Sequence, residues 1–172
     1  FFSKPHQAHI ARLIALVTSL SSLFLCGVMI ARFDNSTSSM QFVEFLNWIP
    51  SLKINYYLGV DGISMSLIVL TSFTTLIVVL ASWTMVHKKV AQYLAAFLVM
   101  QGMVIGVFEA IDSILFYFFW EGMLIPMYLS IGIWGGSNRS YAAIKFFLYT
   151  FLGSALLLII FLYLRMVGGT FN

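Results

Sequence analysis

The chain has 172 residues, of which 61% are hydrophobic and only 9% are charged, with a mean hydropathy of +0.98. Soluble domains carry about 25% charged residues, so this composition excludes a soluble globular protein and indicates a polytopic membrane protein. The formal net charge of +3 is too small and too scattered to indicate nucleic-acid binding. One cysteine, Cys26, excludes an internal disulfide, and no glycine-rich fingerprint, cysteine cluster or histidine cluster indicates a metal or redox cofactor in this sequence.

The first predicted membrane span covers residues 8–32. Its hydroxyl side chains can bond back to their own helix or across to a neighbouring helix, and packing on a lipid-facing side is the preferred interpretation (Thr18, Ser19, Ser21 and Ser22). The only sizeable extramembrane stretch follows, at 33–60. Within it, apolar and polar residues alternate from Ser51 to Leu58, which is the pattern of a strand. With residues 41–46 as its partner and a turn at 47–50, this predicts a short surface β-hairpin at about 41–58.

Two further spans are predicted at 61–85 and 91–111. Asp61 is placed to cap the start of the first of them. That span also carries mid-membrane hydroxyls, for which contacts between helices are favoured over a hydrated path (Thr71, Ser72, Thr74 and Thr75). In the other span, Gly102 and Gly106 have the GxxxG spacing that permits close helix approach. Glu109, at its end, is expected to be a solvated acid.

The central span, at 112–135, carries the residue that bears most on function. Glu121 lies nine residues after Asp112, which is expected to cap this helix. At 1.5 Å per residue, Glu121 is about 13 Å below one end, near the middle of a hydrocarbon core about 30 Å thick. An ionised acid there costs about 2.5–3.5 kcal/mol on insertion scales. Pro126 follows and frees the carbonyl of Gly122 beside the acid. A proton site facing a helix bundle is the resulting hypothesis.

The fifth span, at 141–166, places Lys145 one turn inside the membrane, where a lysine can also reach the headgroups by snorkelling. In a simple hairpin of the last two spans, Lys145 and Glu121 are offset by about 13 Å along the membrane normal, too far for an ion pair. Glu121 is therefore expected to be either protonated or paired with a cation outside this chain.

Lysine and arginine are unevenly distributed between the two ends of the predicted spans. The side of the N-terminus collects Lys4, Arg12, Lys88, Lys89 and Arg139, whereas the other side collects three basic residues and five of the acids. Because basic residues favour the cytoplasmic face, the N-terminus is predicted to be cytoplasmic, or in the matrix if the membrane is mitochondrial.

Four segments together resemble a known family: VDGIS at 60–64, FFWEGMLIPMYL at 118–129, IGIWGG at 131–136 and AAIKFFLYTFLGS at 142–154. They are similar to the proton-pumping, antiporter-like membrane subunits of NADH-quinone oxidoreductase (complex I), of the subunit M or mitochondrial subunit 4 type. The resemblance implies that Glu121 is the essential membrane glutamate and that Lys145 also serves proton translocation. It further implies that the lysine partner of the glutamate lies beyond Asn172, in a chain about three times as long.

From this resemblance we expect an all-α, five-span membrane domain over residues 1–172 that is part of a longer subunit. It would move protons while partner subunits transfer electrons from NADH to quinone, so NADH, FMN, iron–sulfur clusters and quinone are expected in those partners and none in this chain. The expected partners are the other membrane subunits of complex I, especially neighbouring antiporter-like subunits, and the lipid bilayer. The expected location is the bacterial plasma membrane, with the mitochondrial inner membrane as the alternative.

Two other functions remain open from the sequence. One is a subunit of a multi-subunit sodium/proton antiporter or of a membrane-bound hydrogenase, driven by a different reaction. The other is a structural remnant, a membrane scaffold that binds its neighbours and moves no ion.

Overall fold

The computed structural model describes residues 5–37, 39–50 and 54–168. The elements in chain order are α1 (Pro5–Arg32), β1 (Gln41–Ile49), β2 (Ile54–Val60), α2 (Gly62–Met85), α3 (Val90–Glu109), α4 (Ser113–Trp134) and α5 (Arg139–Gly168). In the described part of the chain, five helices are long and apolar enough to cross a membrane. The predicted all-α bundle with one small hairpin is therefore confirmed, with helix ends within a few residues of those predicted.

The helices form a group of three to which two more are added in series. Helices α1, α2 and α3 pack against one another, α4 packs against α3, and α5 packs mainly against α4. Two apolar clusters hold the group of three, one around Val79 and Leu94 and the other around Met65 and Ile68. By contrast, α5 buries only Ala143 and Ser154 among its described side chains. Most of its surface is left for lipid or for other polypeptides.

A buried polar network ties the group of three together at mid-membrane. The amide nitrogen of Gln101 donates to the hydroxyls of Ser22, at 2.7 Å, and Ser72, at 3.3 Å. The Ser72 hydroxyl also lies 3.2 Å from the Cys26 sulfur. Each partner comes from a different helix, or in the case of Cys26 from the next turn of α1, so these bonds fix how the helices are rotated against one another.

This network settles the roles predicted for the hydroxyl residues. Ser72 does join helices, whereas Thr71 and Thr75 bond back to carbonyls of their own helix. The expectation of a lipid-facing side was wrong for Ser22 and also for Ser19, which is fully buried. Serine is found both on lipid-facing and on helix-facing sides of membrane helices. The positions of Ser19 and Ser22 in the sequence therefore did not show that this side of α1 faces α2 and α3.

The hairpin lies at one end of the bundle with β2 on its inner side. Strand β1 is largely exposed, while Ile54, Leu58 and Val60 of β2 are buried. The predicted turn at 47–50 was wrong, since Asn47 pairs with Asn55 and Ile49 pairs with Ile54. The strands continue further than predicted, and residues 51–53 between them lie outside the described part. The other side of β2 is covered by the connection between α3 and α4.

That connection is held by Asp112, whose side chain is fully buried. Its Oδ1 accepts hydrogen bonds from the backbone N–H groups of Ile114, at 2.9 Å, and Leu115, at 3.2 Å, so the predicted cap is confirmed. Its Oδ2 accepts a third bond from the N–H of Asn55 in β2, at 3.1 Å. The adjacent N–H of Ile111 donates to the Tyr57 carbonyl at 2.9 Å. One carboxylate thus joins the start of α4 to the hairpin.

The expectation that Glu109 is a solvated acid needs correction, and the neighbouring acid at this junction is also shielded from solvent. Asp112 is not solvated, because its carboxylate is enclosed by the N–H groups that it binds. Glu109, the last residue of α3, is half-buried, and the Glu44 carboxylate of β1 is near enough to repel it. Asp61 behaves as expected: the Ser64 N–H donates to its Oδ1 at 2.6 Å, and this bond holds the pKa of the Asp61 carboxyl below its ordinary value.

We predict that Asp112→Ala destabilises the membrane protein strongly. The loss combines a helix cap, worth about 0.5–2 kcal/mol, with a buried and unsatisfied Asn55 N–H, worth about 1–3 kcal/mol. Asp112→Asn keeps one acceptor oxygen and should lose less. Thermal denaturation in detergent measures both, with Asp34→Ala in the exposed loop as the control. Equal melting temperatures for Asp112→Ala and Asp34→Ala would contradict this role.

Candidate functional site

Helix α4 carries Glu121 between its two neighbouring helices. On the α3 side, Phe119 packs on Gly106 and Gly122 faces the Met103 side chain. On the α5 side, Tyr128 contacts Phe147 edge-to-face, with 5.6 Å between ring centroids, and Gly132 faces Ala143. Glu121 is half-buried within this packing, about 13 Å along the helix from its capped start. The acid therefore lies inside the bundle at mid-membrane depth.

The immediate surroundings of the Glu121 carboxylate contain hydroxyl groups. Tyr117, one turn earlier, interacts with the Glu121 carboxylate and also with the Ser154 hydroxyl of α5. Ser154 is buried and donates to the Phe151 carbonyl at 2.9 Å. The Oε1 atom of Glu121 is buried and has no hydrogen-bond partner within the described ranges. A buried acceptor without a partner is costly when ionised and is relieved by protonation or by an added partner.

Pro126 lies within α4, five residues after the acid, and is buried. Because proline has no N–H, the carbonyl of Gly122 has no donor at its usual place in the helix ladder. Ser130 adds a hydroxyl bond of 2.8 Å to the Pro126 carbonyl one turn further on. The helix continues through the proline, and the freed carbonyl lies next to Glu121 as a second acceptor.

Lys145 is not brought to Glu121. Its side chain is exposed on the outer face of α5, with Nζ 5.6 Å from the Tyr141 ring centroid and 5.9 Å from that of Tyr149. These three residues, with Leu148 and Leu152, line an open groove of about 380 Å³. Lys145 is thus held by aromatic faces on a surface that the described part of this chain leaves uncovered.

The contacts between α4 and α5 also fix the heights of the two candidate residues. Since Gly132 faces Ala143 and Tyr128 contacts Phe147, Lys145 is level with Ser130. Nine helical residues separate Ser130 from Glu121, which is about 13.5 Å along the helix. The offset expected from the sequence therefore matches the packing of the two helices, and a direct ion pair is excluded in this arrangement. In the part of the chain that the structure describes, no group of His, Cys, Asp and Glu has the geometry of a metal site.

Comparison with known proteins gives the family. The family described as NADH-ubiquinone oxidoreductase chain 4, amino terminus, matches residues 8–108, and the one described as NADH:quinone oxidoreductase/Mrp antiporter, TM, matches 110–172. The chain belongs to the NADH-ubiquinone oxidoreductase chain 4 family. It is 42% identical to NADH-quinone oxidoreductase subunit M of Rickettsia prowazekii over 169 residues, which is 95% of this chain and 34% of that protein.

A plant relative and a solved structure extend the comparison. The chain is 43% identical to NADH-ubiquinone oxidoreductase chain 4 of Arabidopsis thaliana, covering 98% of this chain and 34% of that protein. Its fold matches a chain in the structure of respiratory complex I from Thermus thermophilus with a TM-score of 0.75 and 24% identity, covering 95% of this chain and 37% of that one. The chain thus spans about a third of the length of the curated relatives that it matches. The resemblance to this family, predicted from the four sequence segments, is confirmed.

One residue of the site, Ser154, was not predicted from the sequence of this chain 4 homologue. Ser154 stands in the matched segment 142–154, but nothing in its local pattern distinguishes it from the other hydroxyls of α5. Counting forward along α5 from the residues that face α4, Ala143 and Phe147, gives positions 150–151 and 154 for the same face. That periodicity is the signal that could have placed Ser154 beside Tyr117.

We predict that Gly106→Ala disturbs the packing that positions α4, whereas Gly102→Ala does not. A Cβ on Gly106 would lie 2.7 Å from the Phe119 ring, while nothing lies within 4 Å of one on Gly102. Overpacking costs about 1–3 kcal/mol, but alanine in an open helix position gains about 0.5–1 kcal/mol. The melting temperature should fall for Gly106→Ala and hold or rise for Gly102→Ala. A fall of the same size in both would contradict this assignment of the GxxxG pair.

Proposed function

We propose that this chain forms part of a proton-translocating membrane subunit of NADH-quinone oxidoreductase, with Glu121 as the group that takes up and releases the proton. Electron transfer from NADH to quinone in partner subunits would supply the free energy. The observation that carries the proposal is a carboxylate at mid-membrane whose buried Oε1 has no hydrogen-bond partner among the described residues. Its surroundings supply two hydroxyls, from Tyr117 and Ser154, and the carbonyl freed by Pro126.

This environment suits a group that changes its charge. When Glu121 is protonated, its O–H can donate to a nearby acceptor such as the carbonyl freed by Pro126. When it is ionised, the Tyr117 hydroxyl can donate to it, and a cation outside this chain would supply the remaining stabilisation. A structural acid would instead have all its oxygens satisfied, as Asp112 does. The contrast between the two buried carboxylates supports a titrating role for Glu121.

Lys145 is proposed as a second translocating group, displaced toward the end of the bundle where α1 begins. Its exposed position on α5, between two tyrosines, places it against whatever covers that face. We propose that this covering is the remainder of the subunit or a neighbouring antiporter-like subunit of the complex. In that setting Lys145 would pass protons through water or Tyr149 and would reach Glu121 only indirectly, because of the offset of about 13.5 Å.

Redox chemistry is assigned to the partners. NADH, FMN, iron–sulfur clusters and quinone would be held by other subunits of complex I, and this chain would respond to their turnover through contacts between subunits. A second candidate function, in a sodium/proton antiporter or a membrane-bound hydrogenase, draws on the match of residues 110–172 to a family whose description includes the Mrp antiporter. Proton movement driven by NADH oxidation supports the first function, and movement driven only by a sodium gradient supports the second.

We further propose that the ends of α1, α2 and α3 near Arg12 and Lys88 face the cytoplasm of a bacterium, or the matrix if the membrane is that of a mitochondrion. The basic residues at this end outnumber those at the other, which also holds five acids. Cys26 is buried, so cysteines introduced on exposed positions label without interference from it.

On this orientation, Lys88→Cys should react with a membrane-impermeant maleimide only from the cytoplasmic face. Asn35→Cys, in the loop after α1, should react only from the opposite face. Both positions are exposed and lie at opposite ends of α2. Labelling of intact against inverted membranes measures the difference. Reaction of both cysteines from one face would contradict the five-span order.

The decisive variant for the proton role is Glu121→Gln, which keeps size and hydrogen bonding but cannot titrate. In membranes carrying the whole complex, it should assemble yet lose most NADH-driven proton pumping and the turnover coupled to it. Glu121→Asp still titrates and should keep a good part of both.

A purely structural acid would reverse this ranking, since a buried glutamine avoids the cost of burying a charge. NADH oxidation and proton-gradient assays on the same membranes separate the two cases. Normal pumping by Glu121→Gln in an assembled complex would overturn the proposed function.

For Lys145 the charge is expected to matter. Lys145→Ala should reduce NADH-driven proton pumping, and Lys145→Arg should retain more of it, because arginine keeps both the cation and its stacking on tyrosine. Tyr141→Phe serves as a control that keeps a ring beneath the cation. If the Lys145→Ala complex pumped as well as the unmodified complex, Lys145 would have no role in translocation and would only snorkel to the lipid headgroups.

A further inference from the structure

A basic, open cleft of about 620 Å³ lies at the end of the bundle where α2 meets α3 and α4 meets α5. Its walls are the connection after α2, the last turn of α4 and the first residue of α5. Cationic and aromatic side chains line it (His87, Lys88, Lys89, Arg139, Tyr93 and Trp134). It belongs neither to the surroundings of Glu121 nor to the groove of Lys145.

Two hydrogen bonds give the cleft a fixed shape. The Trp134 indole N–H donates to the Lys88 carbonyl at 2.8 Å, which holds the α2–α3 connection over the end of α4. The Arg139 guanidinium donates to the Ile133 carbonyl at 2.9 Å, which uses one of its five N–H groups. Tyr93 packs edge-to-face on Trp134, with 5.2 Å between ring centroids. The backbone that carries the cationic side chains is therefore held in place by these contacts.

The positive charge of this cleft is not neutralised by an Asp or Glu side chain of this chain. Of the six acids, Asp34, Glu44, Asp61, Glu109 and Asp112 lie at the opposite end of the bundle, and Glu121 lies at mid-membrane. The side chains of Lys88, Lys89 and Arg139 are exposed. An anion that neutralises them must therefore come from outside this chain.

We propose that this cleft binds the phosphate headgroup of an anionic phospholipid. The cleft lies at the ends of membrane-spanning helices, where the phosphate groups of the bilayer are located. Tyrosine and tryptophan, as at 93 and 134, favour that depth. Basic pockets between such helices on the cytoplasmic side suit anionic headgroups, and each basic side chain favours an anionic lipid about fivefold over a neutral one. Lys88 and Lys89 would contact the phosphate directly, with Arg139 beside them.

The test uses the full-length subunit in its complex, reconstituted into vesicles of equal mole fractions of phosphatidylglycerol and phosphatidylcholine. A small fraction of each lipid carries a photoactivatable diazirine on the acyl chain close to the headgroup. After illumination, mass spectrometry of peptides containing residues 85–93 and 133–139 gives the ratio of the two adducts. We expect phosphatidylglycerol adducts to exceed phosphatidylcholine adducts about 25-fold at these peptides, since Lys88 and Lys89 each contribute about fivefold.

The double variant Lys88→Gln with Lys89→Asn should bring the ratio toward one. Asparagine is chosen because residue 89 has a φ of 53°, which asparagine tolerates. Arg32→Gln, at the opposite end of α1, is the matched control and should leave the ratio unchanged. In the unmodified protein, raising the sodium chloride concentration should also lower the ratio, a measurement that needs no variant.

Three results would overturn the proposal. A ratio near one in the unmodified protein would mean that the cleft does not select charge. An absence of both adducts from these peptides would mean that another polypeptide covers the cleft. Loss of the phosphatidylglycerol excess with sodium phosphate, but not with sodium chloride at equal ionic strength, would mean that the cleft takes a free anion and not a lipid.

Discussion

The position of α4 depends on the buried carboxylate of Asp112. Its three hydrogen bonds come from two N–H groups of α4 and one of β2, so one residue fixes both where α4 begins and how the hairpin lies against it. These bonds are charge-assisted and shielded from water, which makes them among the stronger ones in the fold. Counting from this fixed start places Glu121 at mid-membrane. The depth of the candidate proton site is thus set at the membrane surface.

Asp112, which is fully buried, and Glu121, which is half-buried, are carboxylates in two different environments. Asp112 is enclosed by three backbone N–H groups that donate hydrogen bonds to its carboxylate, and this makes it structural. Glu121 has an oxygen that is buried without a partner in the described part of the chain, with hydroxyls as its neighbours. Burial alone would not have separated them. The number and kind of donors decide which acid holds the fold and which is suited to change its charge.

Most of the architecture could be predicted from the sequence, because hydropathy and helix length are local properties. The five spans, the caps at Asp61 and Asp112, the depth of Glu121 and its offset from Lys145 all follow from counting along helices. The features that could not be predicted depend on the rotation of each helix about its axis and on the register of the two strands. Ser22 faces inward because Gln101 lies opposite it, Asn47 is paired because β1 runs on to Ile49, and Ser154 is beside Tyr117 because α5 packs on α4 in one register. Each of these needs the partner to be known first.

The contact between α4 and α5 has a mechanical consequence. Its rings, such as Tyr128 on Phe147 and Phe116 on Phe161, are apolar surfaces that tolerate small sliding displacements without breaking a hydrogen bond. The Tyr117 hydroxyl, by contrast, touches both Glu121 and Ser154. Because one hydroxyl interacts with residues of both helices, the proposed change of charge on Glu121 would also alter the interaction between Tyr117 and Ser154. Under the proposed role of Glu121, a gain or loss of its proton would therefore alter the contact between α4 and α5.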